Sequence, residues 1–318
     1  MRIVMDGDPG SDDAIAMLVA LAAQEIELLG ITTVGGNATV AEVTENALRL
    51  VEFLGAETPV YAGSAEPLDG RAAYGSEAFT TPGRHRKQLA GLGLPATEAK
   101  PAGDAVDFLV DCFTSAGDDE ITLVATGPLT NVARALDREP RLAEKLRHVI
   151  LMGGAHDSGN VTAAAEFNFW ADPLAAKAVF DAHLPDLIMF PLDATRTAPL
   201  TVTDCERFEA VGGEPGRFVA GLIRQRIDEG IQAGSDGRSC PIHDLLCIAQ
   251  VLEPVIVQSE KCFVEVEAEA ELTRGRSVID TRPWRRGEGD VQVVWRADAW
   301  AVAGVVEAAL RRLATPAT

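Results

Sequence analysis

The stretch Arg2-Ile3-Val4-Met5-Asp6-Gly7-Asp8-Pro9-Gly10-Ser11-Asp12-Asp13-Ala14 sets four carboxylates within eight residues, between a short apolar run that reads as a strand and an Ala/Leu-rich run over 14–23 that reads as a helix. Two like charges about 4 Å apart repel by roughly 4 kcal/mol at an effective dielectric of 20, so a fold that gathers them raises their pKa values or neutralises them with a cation. A hard, oxygen-seeking cation is the simplest solution. Calcium and magnesium both suit an all-carboxylate site, and calcium tolerates the irregular shell of six to eight ligands that a loop provides. In open α/β sheets, ligands bind beyond the carboxyl ends of the strands, where Asp6 and Asp8 fall. Asp12 and Asp13 fall at the start of the following helix, where exposed N–H groups and the helix dipole favour carboxylates. A plain N-cap is the alternative for Asp12, but it leaves Asp6 and Asp8 unexplained. An EF-hand fails, because its sixth position is Ser11 instead of Gly and its twelfth is Met17 instead of Glu.

Strand and helix patterns then alternate: a β-rich run over 26–34, a helix over 40–54, a short strand over 59–63, a helix over 105–115 capped by Asp104, and a strand over 121–125 running into a helix over 129–136. Further strands are expected over 148–152 and 187–191, with β runs over 262–270, 278–281 and 291–295. Helices are expected over 174–182, 204–211, 216–231, 245–252 and 297–313. Such alternation predicts an α/β fold with an open, doubly wound, mostly parallel sheet flanked by helices. We expect one domain over 1–318, with an irregular Gly-, Pro- and Ala-rich insertion at about 64–101 that reads as a lid.

With 318 residues, 47% of them hydrophobic, the chain can bury a large core. A formal charge of −20 argues against nucleic acid or an anionic membrane as partner, since either needs a basic face. A small neutral or cationic ligand is expected instead. The five cysteines are scattered without a CxxC pair, and the N-terminus enters a strand with no signal-like segment, so a soluble, cytoplasmic protein is expected. The phosphate loop GxxxxGK[ST], a GxGxxG after the first strand, the GxSxG elbow and the HExxH zinc pair are all missing from the sequence.

Several polar residues stand just beyond strand ends. Asn37 follows Gly35-Gly36 and reads equally as a turn residue or a ligand-binding one. The glycine after Thr126 lets backbone come close to a ligand, and the Thr126 carbonyl could complete a calcium shell, although a plain turn is the alternative. Glu166 and Asn168 alternate with Phe167 and Phe169, so an extended segment would point both polar groups one way and both rings the other, a wall suited to a polyhydroxylated ligand. Asp172-Pro173 reads as an N-cap with Pro in the first turn. His243-Asp244 opens an apolar helix, and Asp244 is ambiguous between cap and ligand.

Taken together these pieces resemble the inosine/uridine-type nucleoside hydrolases. The resemblance rests on Asp6-x-Asp8-Pro9-Gly10-x-Asp12-Asp13-Ala14, Thr32-Thr33-Val34-Gly35-Gly36-Asn37, Val60-Tyr61-Ala62-Gly63 and Thr126-Gly127-Pro128-Leu129-Thr130-Asn131. It continues through Met152-Gly153-Gly154, Ala165-Glu166-Phe167-Asn168, Pro191-Leu192-Asp193-Ala194-Thr195, His243-Asp244 and Leu272-Thr273-Arg274-Gly275. It implies calcium-dependent hydrolysis of the N-glycosidic bond of ribonucleosides by a homodimer or homotetramer. The implied calcium ligands are Asp8, Asp13, the Thr126 carbonyl and Asp244. Asp12, Asn37, Met152, Asn160, Glu166 and Asn168 would bind the substrate, Asp8 would be the general base for a calcium-bound water, and His243 would protonate the leaving base. Relatives often carry His-Gly after the third strand, whereas this chain offers Tyr74-Gly75 and, separately, His85; by resemblance 231–239 should help form the nucleobase pocket. Two other readings compete: a metal-dependent phosphatase with Asp6 or Asp8 as nucleophile, disfavoured by the lack of Lys or Arg near the motif, and a calcium- and ribonucleoside-binding protein without turnover.

Overall fold

A computed structural model of the chain describes residues 1–70, 89, 91–116, 120–285 and 287–315. In chain order its elements are β1 (Arg2–Gly7), α1 (Ser11–Ala22), β2 (Glu27–Thr33), α2 (Val40–Phe53), β3 (Val60–Ala62), α3 (Ala105–Ser115), β4 (Ile121–Ala125), α4 (Thr130–Arg138), α5 (Leu142–Lys145) and β5 (His148–Met152). The second half adds α6 (Phe167–Ala171), α7 (Pro173–Asp181), β6 (Leu187–Phe190), α8 (Leu192–Thr195), β7 (Leu200–Thr201), α9 (Val202–Gln232), β8 (Ser239–Cys240) and α10 (Leu245–Leu252). The chain closes with β9 (Val257–Cys262), β10 (Val264–Glu267), β11 (Arg276–Ile279), β12 (Val291–Ala297) and α11 (Ala299–Ala314).

The main sheet has eight strands in the order β3-β2-β1-β4-β5-β6-β12-β9. All its pairings are parallel except that of the edge strand β9 with β12. This is the expected doubly wound α/β sheet. Alternate residues of β1 show how it is covered: Ile3 and Met5 enter one core with α1, α9, α10 and α11, while Val4 enters the other with α3, α4 and α7. From β1 the chain winds outward through β2 and β3, then returns to place β4 on the other side of β1. The order therefore reverses between β1 and β4, and a crevice opens beyond their carboxyl ends.

Local chemistry accounts for most boundaries. Asp104 accepts from the N–H groups of Val106 and Asp107, and Asp172 accepts from Ala175 N, so both act as the expected caps. The helices expected over 204–211 and 216–231 form one long, kinked element, α9, broken at Gly213, where φ is 57°. Of the stretch expected to be a lid, 71–88 and 90 lie outside the described residues, and Tyr74, Gly75 and His85 with them. Its downstream flank packs down: Leu94 is buried, and Arg49 donates to the carbonyls of Leu94 and Pro95 at 2.7 Å each. Among the described residues no helix is long and apolar enough to cross a membrane.

Candidate active site

The acidic motif sits where the sheet order reverses. β1 ends at Gly7 and Gly10 is the N-cap of α1, which places Asp12 and Asp13 in the first turn of that helix, beside the crevice. Asp8, Asp12, Asp13 and Asp244 are all buried. Carboxylate oxygens of Asp12, Asp13 and Asp244 lie within 4.8 Å of one another. Asp244 begins α10 but makes no side-chain cap, so its carboxyl faces this cluster instead of its own helix. Asp13 accepts from Thr126 Oγ1 at 2.8 Å and from Gly10 N at 3.2 Å. Asp8 accepts from the backbone N–H of Asn37, whose Nδ2 also donates to the Asp8 carbonyl at 3.1 Å. Glycine makes this crowding feasible, because a Cβ on Gly36 would stand 1.8 Å from Asp8 Oδ2.

The electrostatics follow from burial. Asp8 is pushed well above its ordinary range by burial and by the Asp13 charge. Asp244 is raised likewise by burial and then by the charges of Asp12, Asp13 and Asp8. Asp13 rises to about 6 through burial and the Asp12 charge. Four such groups are stable together only if protonated or if a cation joins them.

A cavity of about 190 Å³ lies over the cluster. Its walls bring together Asp8, Asp12, Asn37, Thr126, Met152, Asn160, Glu166, Asn168, His243 and Asp244, which are the site residues expected from the sequence apart from Asp13, which is buried and not part of the lining. The segment around Glu166 differs from the extended strand expected. Glu166 caps a short helix, α6, accepting from Asn168 N at 2.9 Å and Phe169 N at 3.3 Å, and it also accepts from Gly154 N at 2.8 Å. The helical turn splits the two rings: Phe169 is fully buried against Phe180, and Phe167 lines the cavity. Burial pushes the Glu166 carboxyl up to about 7 against the pull of those three N–H groups. Asn168 Nδ2 donates to the carbonyls of Thr126 and Met152, at 2.8 and 3.0 Å, so the Thr126 oxygen already accepts one hydrogen bond and keeps one lone pair.

His243 is held by its Nδ1, 2.7 Å from Thr195 Oγ1. Burial, and after it the Arg226 cation, depress it to about 4. Arg226 overturns the expectation that no basic residue stands near the acidic motif: from α9 it donates to Ser11 Oγ at 2.9 Å and pairs with Asp12 at 3.3 Å. Residues 231–239, expected at the nucleobase pocket, do not line the cavity, and Arg226 on the preceding turns does. Asp6 is fully buried behind the site, with Thr32 Oγ1 and Asn131 Nδ2 on one oxygen at 2.6 and 2.8 Å. It does not line the cavity, so the phosphatase reading loses one of its two nucleophiles. Asp193, another residue the sequence reading passed over as a site element, accepts from His156 N and Asp157 N and so holds the loop that presents Asn160.

A carboxylate-floored cavity at the reversal point of a doubly wound sheet is the layout of an α/β enzyme that binds its ligand beyond the strand ends. The chain belongs to the inosine-uridine preferring nucleoside hydrolase family, whose model matches residues 3–303, and it is an enzyme of that family. It is 35% identical over 284 residues to the pyrimidine-specific ribonucleoside hydrolase RihB of Escherichia coli, covering 88% of this chain and 87% of that one. Among solved structures it superposes on the purine-preferring ribonucleoside hydrolase from Gardnerella vaginalis with a TM-score of 0.86, at 29% identity over 99% of both chains. The plant nucleoside hydrolase PpNRh1 also superposes with a TM-score of 0.86, at 27% identity over 99% of both chains.

Proposed function

We propose that this chain hydrolyses the N-glycosidic bond of ribonucleosides to free base and ribose, with calcium in its acidic cluster. The observation that carries this reading is the convergence of Asp8, Asp12, Asp13 and Asp244 under a cavity walled by Asn37, Asn160, Glu166 and Asn168. The donor set fits a hard cation, since every group is oxygen and the mutual repulsion lacks any other full compensation. Asp8, Asp13, Asp244 and the remaining lone pair of the Thr126 carbonyl would hold it. When bound, calcium supplies the positive charge that lets these carboxylates stay ionised and polarises the oxygens of water and of ribose hydroxyls.

The protein's own groups account for the rest. Asp12, Asn37, Asn160, Glu166 and Asn168 offer both donors and acceptors to a sugar, and Met152 supplies apolar contact beneath it. Asp8, ionised, accepts the proton of the attacking water. The surrounding carboxylates stabilise the oxocarbenium-like centre as the C1′–N bond breaks. His243, its Nδ1 held by Thr195 and its pKa lowered to about 4 chiefly by burial, is the residue proposed to assist base departure as hydrogen-bond or proton donor. The five free thiols favour a cytoplasmic location, and the homo-oligomer that the resemblance implies is tested by light scattering on the purified protein.

The decisive experiment measures ribose release from inosine, adenosine, guanosine, uridine, cytidine and their 2′-deoxy counterparts, with calcium and with chelator. Release that needs calcium and collapses for the 2′-deoxy series is expected. Calcium binding without release from any substrate would leave the non-catalytic binding protein as the better reading.

A further inference from the structure

Breaking the C1′–N bond sends its electron pair to the base, and beyond the His243 ring the cavity wall is mostly carboxylate. Asp8, Asp12, Glu166 and Asp244 line the walls, so the field that favours a cationic sugar opposes a departing anion. Among the described residues that line the cavity, Arg226 is the one Lys or Arg. Its side chain is 18% exposed, so its charge is little screened by bulk water. One nitrogen, Nη1, carries both the Ser11 and the Asp12 contact. The Cys240 thiol is a further hydrogen-bond partner of this guanidinium while its Nε is buried without one, so not all five N–H donors of a group that stays protonated at any working pH are engaged. Asp12 is a sugar contact in the reading above, so the anchored cation stands beside the sugar whose bond breaks.

We propose that Arg226 is a catalytic residue that takes up the negative charge of the departing nucleobase through a guanidinium hydrogen bond. This rests on the hydrolase reading. The C–N electron pair goes to the base nitrogen, the water oxygen bonds to C1′, and its proton goes to Asp8. Arg226 keeps its own protons, and the released base collects one from solvent.

Leaving-group chemistry separates this role from mere positioning of Asp12. The probe pair is a natural nucleoside and 4-nitrophenyl β-D-ribofuranoside, whose phenolate departs without help but whose sugar needs the same contacts. In Arg226→Gln, kcat/KM for the nucleoside is expected to fall by about 100-fold, a size typical of losing one charge-stabilising donor, while that for the nitrophenyl riboside stays within about threefold. Arg226→Lys, which keeps the charge but loses the fork, is expected to fall between, and it carries the test if the Gln variant does not fold. Equal losses on both substrates, or no loss on either, would overturn the proposal, the former reducing Arg226 to a positioning residue. Failure of the unaltered protein to cleave either substrate would instead bring down the hydrolase reading itself.

Discussion

Glu166 shows what burial does to a single side chain. Its carboxyl accepts three backbone N–H groups yet is pushed up to about 7 from an ordinary 4.5, because desolvation outweighs those hydrogen bonds. The folded state therefore binds more protons than the unfolded state between about pH 4.5 and 7, so this group's contribution to stability falls as pH rises through that window. Thermal melts of the chelated protein from pH 5 to 8 are expected to show Tm falling with pH, and Glu166→Gln to flatten the slope. An unchanged slope would show that Glu166 does not titrate differently in the folded and unfolded states over this range. Asp8→Ala tests the other buried acid: ribose release is expected to vanish while Tm in chelator holds or rises, since one member of a repelling cluster is gone. Asp8 was legible from its place after the first strand. Arg226 was not, because it lies 214 positions beyond Asp12 on an amphipathic helix whose sequence marks no one turn as facing the cluster.

Short elements carry more of the site than their length suggests. α6 has five residues, and its strand-like alternation of Glu166, Phe167, Asn168 and Phe169 predicts an extended segment. Glu166 reverses this by capping the turn, a local hydrogen bond that periodicity does not register. Asp172 then starts α7 while also accepting from Thr130 Oγ1 at 2.7 Å and Leu68 N at 2.9 Å. Asp172→Ala would strip a buried cap with three partners, and we expect a loss of about 2 kcal/mol or more in denaturant unfolding. α9 offers a purer backbone case. Gly213 has φ of 57° with ψ of −130°, outside the left-handed helical well and in a region glycine alone enters readily, so although a Cβ there would meet nothing within 4 Å, Gly213→Ala should cost about 1–3 kcal/mol of backbone strain with ribose release unchanged. A neutral result in the same melt would mean that the kink relaxes.

The assembled chain behaves as a fold with a repulsive knot at its centre. The turn after β1 holds Asp8, the first turn of α1 holds Asp12 and Asp13, the turn after β4 supplies Thr126, and Asp244 at the start of α10 comes from more than 200 residues away, so a bound cation would tie distant segments to one point. Calcium titration is expected to raise Tm in proportion to the logarithm of its concentration once sites fill, and chelation to reverse the shift. A flat titration, with ribose release intact, would refute the calcium assignment.

Most of the order of strands and helices, the parallel sheet and most of the candidate site could be read from residues alone, because hydrophobic period and strand-end polar residues are local signals, whereas the edge strand β9, with Gln258, Ser259, Glu260 and Lys261 in succession, has no such period and is not expected from the sequence. The strand order, the pairing of Arg226 with Asp12, the helical turn at Glu166 and the enclosure of Asp6 arise from contacts between segments far apart in sequence. Such contacts leave no period to read: they depend on which buried charge lacks a partner, and that is settled only when the segments meet.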